Sequence, residues 1–159
     1  MGLSILLVGF FFAGRIRNQI FTEQYLKENF GAEHRRATGA YIKAGGYPDN
    51  GNGVYSRNLS YEQWYKFNNA QRAHMNYVEW IACSLVLLLV AGLQFPITSA
   101  SLGLAVIIGR FLYAYGYTSG GPSGRSIGVL INDLAVLALF ILSIIAGVNF
   151  IQGNLETDE

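Results

Sequence analysis

Charge is scarce in this 159-residue chain. Only 13% of its residues are charged, against 52% hydrophobic, and the mean hydropathy is +0.30. A chain so poor in charge is not an ordinary soluble domain, and it is too short for two domains. An excess of one sign is missing as well: a net charge of +1 offers no global basic surface for nucleic acid. Cysteine is almost absent. Cys83 stands alone inside an apolar run, so it forms no intrachain disulfide, there is no CxxC metal or redox motif, and it reads as a structural thiol. The first apolar stretch has no basic residues before it and no small-x-small cleavage site, so it does not read as a signal peptide. Nothing resembles a repeat or a selectivity filter, which speaks against a channel or transporter.

What the chain does have is long apolar segments. They run over Leu3–Ala13, roughly Asn69–Leu93 with its apolar core after Glu79, roughly Ile97–Tyr117 and roughly Ile127–Ile151. A membrane span needs about 20 apolar residues. The last three qualify, and the first falls short unless it continues past Arg15 and Arg17 with those side chains snorkelling. The expected architecture is an all-α, four-helix membrane bundle in one domain, with an enlarged loop over 15–66.

Eight Lys/Arg residues lie between the first two spans, none lies in the turn Gln94–Pro96, and Arg125 lies between the last two spans. The acids Glu156, Asp158 and Glu159 end the chain. This asymmetry predicts the first and third loops in the cytoplasm and both termini outside. Within the first loop, Ile20, Phe21, Tyr25, Leu26 and Phe30 recur at helical spacing. They predict an amphipathic helix over Asn18–Phe30 that lies at the interface or continues the first span. The run Gly45–Gly53 (GGYPDNGNG) is rich in turn formers. Ser60 followed by Gln63 is a capping-box pattern that predicts a helix start near Tyr61. His34 reads as solvated, and the Asn58-Leu59-Ser60 sequon on a cytoplasmic loop as chance.

The residues of chemical interest sit where spans meet the basic side. Arg72, Asn76 and Glu79 are spaced i, i+4, i+7 and share one helix face. Arg110, Tyr113 and Tyr117 are spaced i, i+3, i+7 and share another. Glu79 lies seven residues in from Arg72, Arg110 seven back from Tyr117, and Asp133 eight beyond Arg125. At about 1.5 Å per residue, all three lie roughly 10–12 Å below their helix ends. The spacing therefore predicts one polar pocket at one membrane face, lined by Arg72, Asn76, Glu79, Arg110, Tyr113, Tyr117 and Arg125. Arginines grip carboxylates bidentately, a glutamate can receive an amine, and tyrosines add directed hydroxyls. The alternative is that Arg–Glu and Arg–Asp pairs among Glu79, Arg110 and Asp133 simply cross-link the bundle. His74 falls off the Arg72/Asn76/Glu79 face, Tyr115 reads as part of an interfacial belt, and Asn132 as polar glue between helices.

Three strings, FNNAQRAHMNYVE (Phe67–Glu79), GRFLYAYGY (Gly109–Tyr117) and GGPSGRS (Gly120–Ser126), together with Tyr47-Pro48, resemble the MAPEG superfamily of membrane-associated proteins in eicosanoid and glutathione metabolism. The nearest likeness is to its microsomal glutathione S-transferase 3 type. The resemblance covers Phe67–Gly147 and implies a four-helix membrane bundle that forms homotrimers in the endoplasmic reticulum or another intracellular membrane. Glutathione would be the co-substrate, bound between neighbouring subunits near the cytoplasmic face, with no metal. By residue match, Arg72, Asn76 and Glu79 would hold it and Arg110, Tyr113 and Tyr117 would complete the pocket. Arg125 would be the catalytic residue near the thiol, where a cation favours the thiolate. The partner substrate would be a lipid electrophile or hydroperoxide arriving through the bilayer. Asp133 stands outside the family pattern, and an acid at the depth of Arg110 is expected to compete for that arginine. A second class of function is a non-enzymatic accessory subunit or lipid-binding scaffold of a larger, for example mitochondrial, membrane complex. The enlarged loop would then serve partners.

Overall fold

The computed structural model describes residues 1–45 and 49–157, with side chains through residue 153. Tyr47-Pro48, Asp158 and Glu159 lie outside that set. The long apolar segments become helices because a bilayer leaves a backbone no other way to satisfy its polar groups. α1 (Gly2–Val8), a π-helical stretch (Gly9–Gly14) and α2 (Arg15–Ile20) make one run. α3 is Glu23–Thr38, α4 is Tyr61–Gln94, α5 is Pro96–Gly124 and α6 is Ser126–Thr157. Gly2–Ile20, Tyr61–Gln94, Pro96–Gly124 and Ser126–Gly153 are each long and apolar enough to cross a membrane. The first span does continue past Arg15 and Arg17.

The α4 start is the predicted capping box. The Ser60 hydroxyl accepts from the Gln63 amide, and the Gln63 side chain accepts from the Ser60 amide. One residue, Phe95, separates α4 from α5, and Pro96 fits the first helical position, where no N–H is needed. Buried residues recur every seven along α4 (Ala70, Tyr77, Ser84, Ala91). Along α5 they alternate by four and three (Ser99, Gly103, Val106, Arg110, Tyr113, Tyr117), and α6 follows with Gly128, Asn132, Ala135 and Leu139. That is the spacing of side-by-side helical packing, with small residues letting backbones approach. Gly128 is one such place, because a Cβ there would strike the Tyr113 backbone. The opposite faces keep large side chains such as Leu89, Leu104, Leu134 and Phe150 exposed, as lipid contact requires.

The long loop is folded on a core that it shares with the end of α2 and the first turns of α4. Ile20, Phe21, Leu26, Phe30, Ile42 and Phe67 are buried together. The sequence-based helix over Asn18–Phe30 needs correction here. The chain breaks at Phe21, Thr22 caps a new helix by accepting from the Tyr25 amide, and that helix runs on to Thr38. Asp49 organises the turn that follows. Its carboxylate accepts from the amides of Gly51, Gly53 and Ser56 and from the Ser56 hydroxyl, while Arg17 donates to its carbonyl. The described part of the predicted turn-rich run, residues 49–53, is held as a cap against the start of α4, where Trp64 donates to the Gly51 carbonyl and Gln71 to the Asn50 side chain.

Candidate functional site

Near the polar end, the third and fourth spans form a hairpin whose corner is Gly121. Its φ of 66° lies in the left-handed region that glycine adopts without strain. The hairpin places Arg125 at the mouth of the bundle, against α4. A cavity of about 90 Å³ opens there, lined by Arg72, Met75, Asn76, Glu79, Tyr113 and Arg125. Five of the seven sequence-predicted residues line one space, contributed by α4, α5 and the turn between α5 and α6.

The other two stand behind it. Arg110 is 3% exposed, and its Nη1 donates to Asn76 Oδ1 at 2.7 Å. Its guanidinium lies over the rings of Tyr77 and Tyr113, at 5.1 and 5.9 Å from their centroids. Tyr117 is buried beside Tyr113 and under Arg125, whose guanidinium lies 5.2 Å from the Tyr117 ring centre. Arg125 Nη1 also donates to the Tyr113 hydroxyl at 3.0 Å. The tyrosine pair thus fixes Arg125 by one hydrogen bond and two cation–π contacts.

The cross-linking alternative is not what forms. Arg110 bonds an amide rather than either acid, and Glu79 and Asp133 are both exposed on the single chain. Among the described residues, the one ion pair with a distance within bonding range is Lys27–Glu23 on α3, far from the site in sequence. Asp133 therefore does not occupy Arg110. It accepts from its neighbour Asn132 at 2.9 Å. The buried Asn132 packs against Gly109, but its side chain bonds only this neighbour on its own helix and its Oδ1 has no partner, so it is not the interhelical polar glue expected from the sequence. His74 turns to the first span and sits half-buried against Gly9, while Tyr115 is exposed.

Tyr77 was not singled out by the sequence, yet its ring is part of the floor beneath Arg110 and its hydroxyl bonds Ser4 Oγ at 2.6 Å. The available signal was its place in the seven-residue stripe 70, 77, 84, 91, which turns it to the interior. Cys83 is exposed on the outer face of α4, and no group of three or more His, Cys, Asp or Glu side chains suited to a metal exists among the described residues.

Chemically, the cavity pairs two cations, Arg72 and Arg125, with one anion, Glu79, and the amide Asn76. Among the described residues Arg72 and Glu79 have no ion-pair partner, so both are available to a zwitterionic ligand. The family model described as MAPEG family matches residues 29–145, from within α3 to the second half of α6. The matched stretch contains every residue of this cavity.

Proposed function

From the premise that the chain belongs to the MAPEG family, we propose that it is a glutathione-dependent transferase or peroxidase acting on hydrophobic lipid electrophiles or hydroperoxides, closest in kind to the microsomal glutathione S-transferase 3 type. The observation that carries the proposal is the convergence of Arg72, Asn76, Glu79, Tyr113 and Arg125 on one cavity at the polar end of a membrane bundle. Glutathione bears two carboxylates, one ammonium and one thiol. Arg72 fits a carboxylate, Glu79 fits the ammonium, and Arg125 fits the sulfur.

The roles follow from charge. Arg125, fixed by Tyr113 and Tyr117, lowers the cost of the thiolate, which is the attacking species. Arg110 acts through Asn76: it holds Oδ1 and leaves the Nδ2 donors for the ligand. In transfer, the sulfur forms a bond to an electrophilic carbon and the displaced electron pair takes a proton from solvent. In peroxide reduction, the sulfur takes the outer oxygen and a second glutathione completes the disulfide, releasing the lipid alcohol and water. The cavity, at about 90 Å³, is smaller than the several hundred Å³ usual for a small-molecule site, and a neighbouring copy in a homotrimer would supply the remaining wall.

Calorimetry of glutathione binding to the detergent-purified protein tests the reading. Binding weakened about tenfold or more by Glu79→Gln, and retained in Arg125→Ala with loss of thiolate absorbance, is the expected result. A folded wild type that binds no glutathione would refute the enzyme and leave an accessory subunit or lipid scaffold.

A further inference from the structure

Asp133 is the one acid in the apolar stretch of the fourth span, and nothing derived so far uses it. It is exposed on a face that it shares with Leu130, Leu134 and Leu137. An ionisable side chain on such a face marks a function, because lipid offers it no donor. A carboxylate has about four acceptor positions, and the chain fills one of them, from Asn132.

Two grooves meet at this residue. One, of about 300 Å³, runs between α4 and α6 past Trp80, Cys83 and Phe140. The other, of about 670 Å³, runs along α6 from Pro122 and Arg125 past Val129 to Leu137. Arg125 therefore belongs both to the polar cavity and to the larger groove. Asp133 lies eight residues further along the same groove, about 12 Å deeper at ~1.5 Å per residue. Beyond Ser126 at the mouth, Val129 and Leu130 line the groove between the cation Arg125 and the acceptor Asp133, so the spacing of the two polar groups measures a ligand by length.

The geometry points to a substrate class: a linear lipid electrophile whose tail carries a hydrogen-bond donor, a hydroxyl, that Asp133 accepts while the reacting carbon sits at Arg125. An extended chain advances about 1.2 Å per bond, so the donor lies roughly ten bonds from the reacting carbon. The inference rests on the glutathione reading above. In the reaction, the glutathione sulfur bonds to the β-carbon of an α,β-unsaturated aldehyde. The alkene electron pair moves to the enolate, and solvent supplies its proton.

The test compares two probes, an α,β-unsaturated dodecenal and the same aldehyde with a terminal hydroxyl, using the full-length protein in lipid nanodiscs. The expected kcat/KM for the hydroxylated probe is about tenfold higher. Asp133→Leu should erase the preference and leave the plain aldehyde's rate unchanged. Asp133→Asn, which keeps an acceptor, should retain part of the preference and guards against a folding defect in the leucine variant. Equal rates for both probes in the wild type, or a preference that survives Asp133→Leu, would overturn the inference while leaving the glutathione reading intact. Absence of conjugation with either probe, together with absence of glutathione binding by calorimetry, would overturn both.

Discussion

Replacing Asn76 by Leu and Arg110 by Met, singly and together, measures how firmly the buried cation is wired into the bundle. Asn76→Leu removes the acceptor of the 2.7 Å bond and strands the guanidinium, whose Nε already lacks a partner. A bond to a charged group contributes about 1.5–3 kcal/mol. Arg110→Met loses the same bond and also the contacts over Tyr77 and Tyr113, each about 0.5–2 kcal/mol. Those ring contacts are lost whether or not Asn76 is present, so they cancel from the coupling term. The double variant should therefore be more stable than the sum of the single losses by about 1.5–3 kcal/mol. The assay is reversible unfolding in mixed micelles, followed through the fluorescence of the two tryptophans, Trp64 and Trp80. Neutral side-chain pairs in membrane bundles average about 0.6 kcal/mol. A coupling at or below that level would refute the view that Arg110 is held as a charge by Asn76.

Gly128→Ala should push Tyr113 off its place, costing about 1–3 kcal/mol and weakening glutathione binding. Gly147→Ala, where a methyl meets open space, should do neither in the same thermal and calorimetric assays. The cap should loosen at alkaline pH. Burial, and then the Asp49 carboxylate, push the Tyr25 phenol above its ordinary value of 10.0, and its hydroxyl donates to the Tyr55 carbonyl. The folded state thus favours the neutral phenol. Its contribution is complete below the unfolded-state value and is lost as pH rises through the folded-state one. Limited proteolysis of the loop should accelerate above about pH 10 in the wild type and show a weaker pH dependence in Tyr25→Phe.

Sequence spacing was most informative where one helix carries the pattern. The face formed by Arg72, Asn76 and Glu79 survives because i, i+4, i+7 is geometry local to α4, and the Ser60/Gln63 box survives because it spans one turn. The family-wide match over 29–145 agrees with the strings that carried the resemblance. What spacing missed crosses between elements. The apolar period runs unbroken through Phe21, so the break capped by Thr22 is invisible to periodicity. The Asp49 hub is built largely from backbone amides, which leave no composition signal. Depth alone placed Arg110 level with Glu79 and Asp133. Which partner it takes depends on helix rotation, and that put the amide of Asn76 nearer than either acid.

The bond between Ser4 and Tyr77 has a mechanical consequence. The first span is the thinnest part of the bundle by sequence, yet it grips the aromatic ring on which the buried arginine rests. Its other end is clamped to the cap through Arg17. It therefore works as a strut between the loop and the floor of the cavity. A change that slides this strut by one residue would turn Ser4 away, free the Tyr77 ring and alter the arginine-lined end of a cavity more than seventy positions away in the chain.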